Sequence, residues 1–276
     1  MNLIWFHTSI YRKNPFKNII MICPICKKKL VKINNSYKCE NNHSYDISKY
    51  GYLNLLLNST NSGDNKEMIN ARWAFLNKGY YQKLLDDIVF TIKKLNINTI
   101  LDVGCGEGYY DRGIKDKLDI NIVGLDISKE ACLKASKLNK DIFYIVSSSN
   151  KLPFSDNKFD LILNIFAPHD EDEFTRVCDK YILKVIPNKN HLIELKELLY
   201  ENVIVKDEKK LNFKQFKEIL YHEVTYKVIV DDLFELFKMT PYYYKTKYDM
   251  NTFEKNKNKE ITCDFVIVVY EKINNN

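Results

Sequence analysis

The chain has 276 residues, 45% of them hydrophobic and 28% charged, with a formal net charge of +6. That much apolar material builds one large domain, or a domain with a small added module, without disulfide staples. No apolar run reaches the ~18 residues needed to span a bilayer, which excludes a helical membrane protein.

The positive balance favours an anionic partner such as RNA. The signal is soft, because Lys, Asn and Ile are abundant throughout and biased codon usage produces the same effect. Seven cysteines stand at positions without a disulfide-framework spacing, which fits a reducing compartment. A soluble cytoplasmic protein is expected.

Residues 1–20 carry no recognisable module and read as a disordered extension or as sequence upstream of a start at Met21, with an organelle-targeting leader as the alternative. Cys23, Cys26, Cys39 and His43 then form C-x2-C-x12-C-x3-H. Two such pairs separated by a hairpin converge on a tetrahedral ion, and thiolate plus imidazole suits zinc. With four protein ligands no position is left for water, so the metal is structural and supplies the folding energy of a coreless segment. Residues 21–57 are thus expected as a zinc-binding module. The aromatic and aliphatic residues from Ser44 to Leu56 pack that module against the rest of the chain, or stack on unpaired bases.

Residues 58–66 are polar and turn-forming, a linker to the remainder, residues 67–276. Glu67 to Leu76 and Tyr81 to Leu95 read as two helices broken at Lys78-Gly79. Ile100-Leu101-Asp102-Val103 reads as a buried strand, and Gly104, Gly106 and Gly108 as the turn leaving it. Glycine there accepts positive φ and lets a ligand lie on the backbone. Ile122 to Asp126 is a second strand ending in an acid about 20 residues on, where a Rossmann-type fold holds a ribose hydroxyl. An adenosine-containing ligand is implied. The G-x-G-x-G spacing after an Asp-bearing strand resembles the first motif of class I S-adenosylmethionine (SAM) methyltransferases. A purely structural turn and an NAD site are the other readings.

Further strands are expected at Ile142–Val146, Phe159–Phe166 and, antiparallel, Ile261–Lys272, with a fifth strand before the loop Pro187 to His191. The end of the fourth, Asn164 to Pro168, lies beside the reacting atoms if ligands bind beyond the strand carboxyl ends. Phe166 there either stacks on a target base or packs in the core. Tyr200 to Lys227 mixes apolar and charged residues in a roughly helical manner and reads as a solvated helical face or a specificity insertion. The architecture expected is α/β: a Rossmann-like class I methyltransferase sheet with a small N-terminal zinc module.

Taken together, these stretches resemble the bacterial large-subunit (23S) rRNA (guanine-N1)-methyltransferase family, from about Cys23 to Lys272. The resemblance runs through the zinc pattern, Gly51 to Leu56, Gly63-Asp64, Glu67-Met68 and Ala71-Arg72. It continues in Ala74-Phe75-Leu76, Gly79-Tyr80-Tyr81, Leu101 to Tyr110, Leu152 to Asp156, Ala167-Pro168, His191 to Lys196 and Met239-Thr240-Pro241. It implies zinc on Cys23, Cys26, Cys39 and His43. It also implies SAM contacts from Tyr81, the turn with Gly104, Cys105, Gly106 and Tyr110, the adjoining Asp111, Asp126 and His191. Two features depart from the family pattern: Asp111 stands where a small hydroxyl residue is usual, and the Pro-Gly-Gly turn before the fifth strand is absent.

The activity implied is SAM-dependent methylation of guanine N1 in a hairpin loop of 23S rRNA, with rRNA as partner, no membrane, and a homodimer compatible with the chain. Guanine N1 is protonated at neutral pH and lies on the pairing edge, so the base has to be unpaired and deprotonated. No residue is identified as the base; Asp160 and His169 are candidates by position alone. A SAM enzyme acting on a small molecule or protein, and a non-catalytic zinc RNA-binding protein, are the alternatives.

Overall fold

The computed structural model describes residues 19–57, 64–203 and 213–273. Most of the expected extension (1–18) and of the expected linker (58–63) lies outside them. The chain opens with three short strands, β1 (Val31–Ile33), β2 (Ser36–Lys38) and β3 (Ser44–Asp46), paired antiparallel in that order. Their residues are mostly exposed, so this small sheet has almost no apolar interior of its own. It rests on the larger body through Met21, which bridges to Phe154, and through the Ile22 amide, which donates to the Pro153 carbonyl at 2.9 Å.

Strand β4 (Leu53–Asn54) then joins the main sheet beside β7, so the segment after the zinc pattern is woven into the second sheet. Helices α1 (Lys66–Asn77) and α2 (Gln82–Lys93) follow; Asn65 caps α1 by accepting from the Met68 amide. The alternating body comprises β5 (Thr99–Val103), α3 (Tyr109–Lys117), β6 (Asn121–Asp126), α4 (Lys129–Leu138), β7 (Phe143–Val146), β8 (Phe159–Ile165), α5 (Glu171–Val177) and β9 (Cys178–Pro187). After α6 (Ile193–Leu199) come β10 (Phe216–Val230), α7 (Leu233–Lys238), α8 (Met250–Glu254) and β11 (Lys259–Lys272).

The eight strands stand in the order β10-β11-β9-β8-β5-β6-β7-β4. β4 to β9 run parallel where they pair, and β11 is antiparallel to both β9 and β10. β5, flanked by β6 and β8, is where the order reverses, and in open α/β sheets the ligand crevice lies at the carboxyl ends of such strands. Continuous apolar runs explain the burial, since parallel strands are covered on both faces. Ile100, Ile122 and Leu161 belong to one apolar layer with α2, and Leu101, Val123 and Ile162 to the other with Phe154 and Phe174.

The helical reading of residues 200–227 fails over 216–227. That segment is the first twelve residues of β10, a 15-residue edge strand paired along β11. Exposed on most positions, it lacks the buried alternation that marks a strand, while β11 supplies a partner no local pattern announces.

Candidate active site and metal centre

Strand β5 delivers the chain into the glycine turn, and β6 holds that turn in place. The Gly104 and Cys105 amides both donate to the Leu125 carbonyl, at 2.7 and 3.1 Å. Gly104 has φ +88°, and a Cβ there would lie 2.3 Å from the Ala167 Cβ, so no side chain fits. The Gly106 amide donates to Asp126 Oδ2 at 2.9 Å, and the Ser128 amide to Oδ1 at 2.8 Å. Burial raises the pKa of Asp126 and these two amides oppose it. A carboxylate oxygen accepts more than one hydrogen bond, so Asp126, which lines the cavity, keeps acceptor capacity for ribose hydroxyls.

Tyr81 and His191 meet on the opposite wall. The His191 Nδ1 accepts from the Asp264 amide at 3.3 Å, and its Nε2 lies 3.2 Å from the Tyr81 hydroxyl. Burial, then Lys196, pulls the imidazole pKa down to about 3, so the ring is neutral and carries its proton on Nε2. Nε2 therefore donates to Tyr81, whose own hydroxyl hydrogen is directed elsewhere. Tyr110 is buried on the cavity wall, its hydroxyl without a hydrogen-bond partner among the described residues.

Tyr81, Gly104, Cys105, Gly106, Tyr110, Asp126 and His191 all line one cavity of about 1340 Å³. Ordinary ligand pockets hold roughly 300–1,000 Å³, so this one accommodates an adenosine-bearing ligand and a second guest. The side-chain-free cradle at Gly104, the acceptor at Asp126 and the unpartnered Tyr110 hydroxyl fit SAM. Ser147 and Ser149 line the same cavity beyond β7.

Asp111 is not on that wall. Its carboxyl is fully buried beneath the turn, facing Asp102 and Tyr144. Burial pushes Asp111 up to about 7 and Asp102 well above the usual carboxylate range, so the pair holds a proton at neutral pH. The folded chain keeps this proton up to about pH 7, while an unfolded carboxyl releases it near 3.8. Folding takes up a proton across that window, so stability falls as pH rises through it. Asp111→Asn keeps the shape without the ionisation. Its expected melting temperature at pH 8 is higher by about 4 °C, with a flatter slope between pH 5 and 7, read by thermal unfolding at four pH values.

Three further residues belong to the site, and of these only Phe166 is assigned a substrate contact by sequence position. Arg72 of α1 pairs with Asp64 and lies beside the turn, its Nη1 3.6 Å from where a Gly106 Cβ would stand. Phe166, at φ +54°, is 42% exposed on the cavity wall and stacks on His191 at 6.3 Å. A bulky residue at positive φ is strained, and such strain gathers at functional sites. Lys184 of β9 lines the cavity and donates to Asn164 Oδ1. Asn164 in turn donates to the Val103 and Pro168 carbonyls, at 2.7 and 3.3 Å, tying β8 to the glycine turn.

Of the two candidate bases, His169 lines the cavity, its pKa lowered by burial and then by Lys184. Asp160 does not. It sits at the amino end of β8, accepts from the Asn98 and Thr99 amides and pairs with Lys180 at 2.8 Å, which makes it structural.

Away from the cavity, the ligand atoms of Cys23, Cys26, Cys39 and His43 lie within 4.8 Å of one another. His43 Nδ1 is 3.3 Å from the Cys39 sulfur and 3.5 Å from that of Cys23, and Cys26 and Cys39 sulfurs are 3.6 Å apart. Tetrahedral zinc with Zn–S of ~2.3 Å sets ligand edges near ~3.8 Å, so the cluster fits the ion. Burial raises the Cys23 thiol, but hydrogen bonds from Tyr45 and nearby backbone outweigh it and bring the pKa to about 6, favouring thiolate.

A zinc-ribbon family model described as "RlmA, N-terminal" matches residues 21–58, and one described as "Methyltransferase domain" matches residues 100–182. YxjB of Bacillus subtilis (strain 168), assigned as a 23S rRNA (guanine-N1)-methyltransferase, is 34% identical over 192 residues, 64% of this chain and 68% of that protein. The 23S rRNA (guanine(748)-N1)-methyltransferase of Streptomyces fradiae is 30% identical over 194 residues, 66% of this chain and 69% of that protein. A third relative, from Micromonospora griseorubida and also assigned to 23S rRNA guanine-N1 methylation, is 28% identical over 202 residues, 64% of this chain and 68% of that protein.

Proposed function

This chain belongs to the 23S rRNA (guanine-N1)-methyltransferase family, and from that premise we propose that it methylates N1 of an unpaired guanine, in a hairpin loop of 23S rRNA, with SAM as donor. The observation that carries the reading is a single cavity joining the glycine turn and Asp126 to Phe166, Pro168 and His169 at the end of β8. Donor and acceptor ends are thereby contiguous.

SAM supplies an electrophilic methyl group, so the protein's task is alignment. Gly104 to Gly106 and Asp126 hold the nucleoside end, and Tyr81, Tyr110 and His191 bound the methionine end. Asp111 acts from below, shaping the turn. A guanine whose pairing edge reacts has to leave any stack, and an exposed aromatic such as Phe166 gives its face a new partner. Zinc on Cys23, Cys26, Cys39 and His43 orders the first module, which exposes Lys27, Lys28, Lys29, Lys32 and Lys38. Such a surface neutralises phosphates and suits gripping the RNA.

Residues 21–57 form the zinc module and 67–276 the methyltransferase domain, joined by 58–66, with 1–20 an extension. No described helix is long and apolar enough to cross a membrane, which agrees with work in the cytoplasm. A homodimer fits the free edge of β10, where Ile219, Leu220, Tyr221 and Ile229 are exposed. The test of function is transfer of labelled methyl from SAM to unmodified 23S rRNA, with the nucleotide mapped by primer-extension arrest. Label entering only metabolites or protein would reject the reading.

A further inference from the structure

Helix α1 buries Ile69, Ala71, Phe75 and Leu76 and turns Asn70, Trp73 and Asn77 outward. The indole in that polar row is 37% exposed and belongs to neither apolar layer, so a polar side chain there would leave the core unchanged. It lines an open pocket of about 710 Å³ between α1, α4 and α7, together with Lys66, Lys134 and Lys238. Lys134 of α4 donates to Asn70 Oδ1 at 2.8 Å and holds its ammonium 4.5 Å from the centre of the Trp73 ring. One turn on, the Lys137 ammonium stands 4.5 Å from the centre of the Tyr50 ring, which Lys49 flanks at 5.1 Å. Lys140 ties down that end by donating to the Tyr50 carbonyl at 2.7 Å. Positions 134 and 137 share one helix face, so two ring–ammonium pairs follow each other along α4. Tyr50 lies between β3 and β4, in the segment that leads out of the lysine-bearing zinc module.

The charge of this strip is positive. Residues 129–141 carry Lys129, Lys134, Lys137 and Lys140 against Glu130 and Asp141. At the pocket, Glu235 is paired with Lys238, and Glu67 accepts from the Tyr243 hydroxyl at 3.4 Å. Aromatic rings set among cations suit single-stranded nucleic acid: the rings stack bases and the cations meet phosphates, whatever the sequence. We propose that the strip from Trp73 to Tyr50 binds an unpaired stretch of the RNA substrate outside the catalytic cavity. This rests on the assignment of 23S rRNA as substrate. A base takes the place of the Lys134 ammonium on Trp73, because a cation over a solvent-exposed ring is held more weakly than a stacked base. The displaced ammonium meets the adjoining phosphate, and Lys137 with Tyr50 repeats the arrangement further along the strand. Trp73, Lys134 and Lys137 do not line the cavity, so their contacts add affinity for RNA without entering the methyl transfer.

The experiment uses the indole itself. The chain has two tryptophans, so Trp5→Phe leaves Trp73 as the reporter. The zinc-loaded full chain with that change is titrated with an oligouridylate of about twelve nucleotides, and with unmodified 23S rRNA. Indole emission and the anisotropy of labelled RNA are followed together. Emission is expected to be quenched in step with binding. Trp73→Ala weakens oligouridylate binding about tenfold, while Trp73→Phe, which keeps a stacking ring, stays within about threefold. Lys134→Gln combined with Lys137→Gln lowers the slope of log affinity against log salt by about 1.4, two phosphates at ~0.7 each. In Trp73→Ala the loss in methyl transfer falls on KM for 23S rRNA and not on kcat, and SAM affinity is unchanged. RNA bound by anisotropy with the indole emission unmoved, or bound equally by Trp73→Ala, overturns the proposal. RNA seated on Trp73 but never methylated refutes the proposed function and leaves the strip standing. Failure of the chain to bind either RNA overturns both.

Discussion

Cys39→Ser is expected to abolish zinc binding and unfold residues 21–46 while leaving the SAM cavity intact. β1, β2 and β3 present mostly exposed residues, and the buried positions between them are few, chiefly Cys23, Leu30 and Cys39 itself. Structural zinc contributes roughly 10–16 kcal/mol of apparent binding energy in small modules, far more than so little apolar area supplies. Metal content should fall from one ion per chain to nearly none, and limited proteolysis should cut within the module. Methyl transfer to RNA should drop by an order of magnitude or more if the basic face of the module grips the substrate. The SAM dissociation constant should not change, because the Cys3His cluster shares no residue with the cavity lining. Unaltered zinc content in Cys39→Ser would remove Cys39 from the ligand set.

Sequence reading succeeded where physics is local. The interior strands are covered on both faces, so Ile100–Val103, Ile122–Asp126 and Phe159–Ile165 appear as predominantly apolar runs ending at the crevice. Metal ligands announce themselves by spacing, and the three glycines by a positive-φ backbone they adopt without strain. What stayed hidden depends on pairing between distant segments. β10 is a strand because β11 lies beside it, and its exposed surface imitates a solvated helix. Lys184 and the Asp102–Asp111 pair are ordinary charged residues until the fold buries them, and Arg72 until the fold sets it beside the glycine turn. Asp160 fell to a rule available from the start: it is the second residue of β8, while ligands gather at the other end.

Asp126→Ala is expected to weaken binding of SAM and of S-adenosylhomocysteine about 10- to 100-fold, with little change in melting temperature. The carboxylate does two things at once. It ties the Gly106 and Ser128 amides at 2.9 and 2.8 Å, and it faces the cavity where a ribose would lie. Losing a charged acceptor for two hydroxyls costs about 1.5–3 kcal/mol, which is the stated range in affinity. The stability effects oppose each other, since two amides lose a partner while a carboxyl held above its usual pKa by burial is removed. Titrating adenosine alone separates the causes. If Asp126 holds the sugar, adenosine and S-adenosylhomocysteine weaken by the same factor; if the variant merely loosens the glycine turn, the ligand that also occupies the methionine end suffers more. Asp126→Asn keeps one acceptor oxygen and should fall between the two. Affinity unchanged in Asp126→Ala would mean that the ribose is held elsewhere, and the adenosine end of the cavity would have to be reassigned.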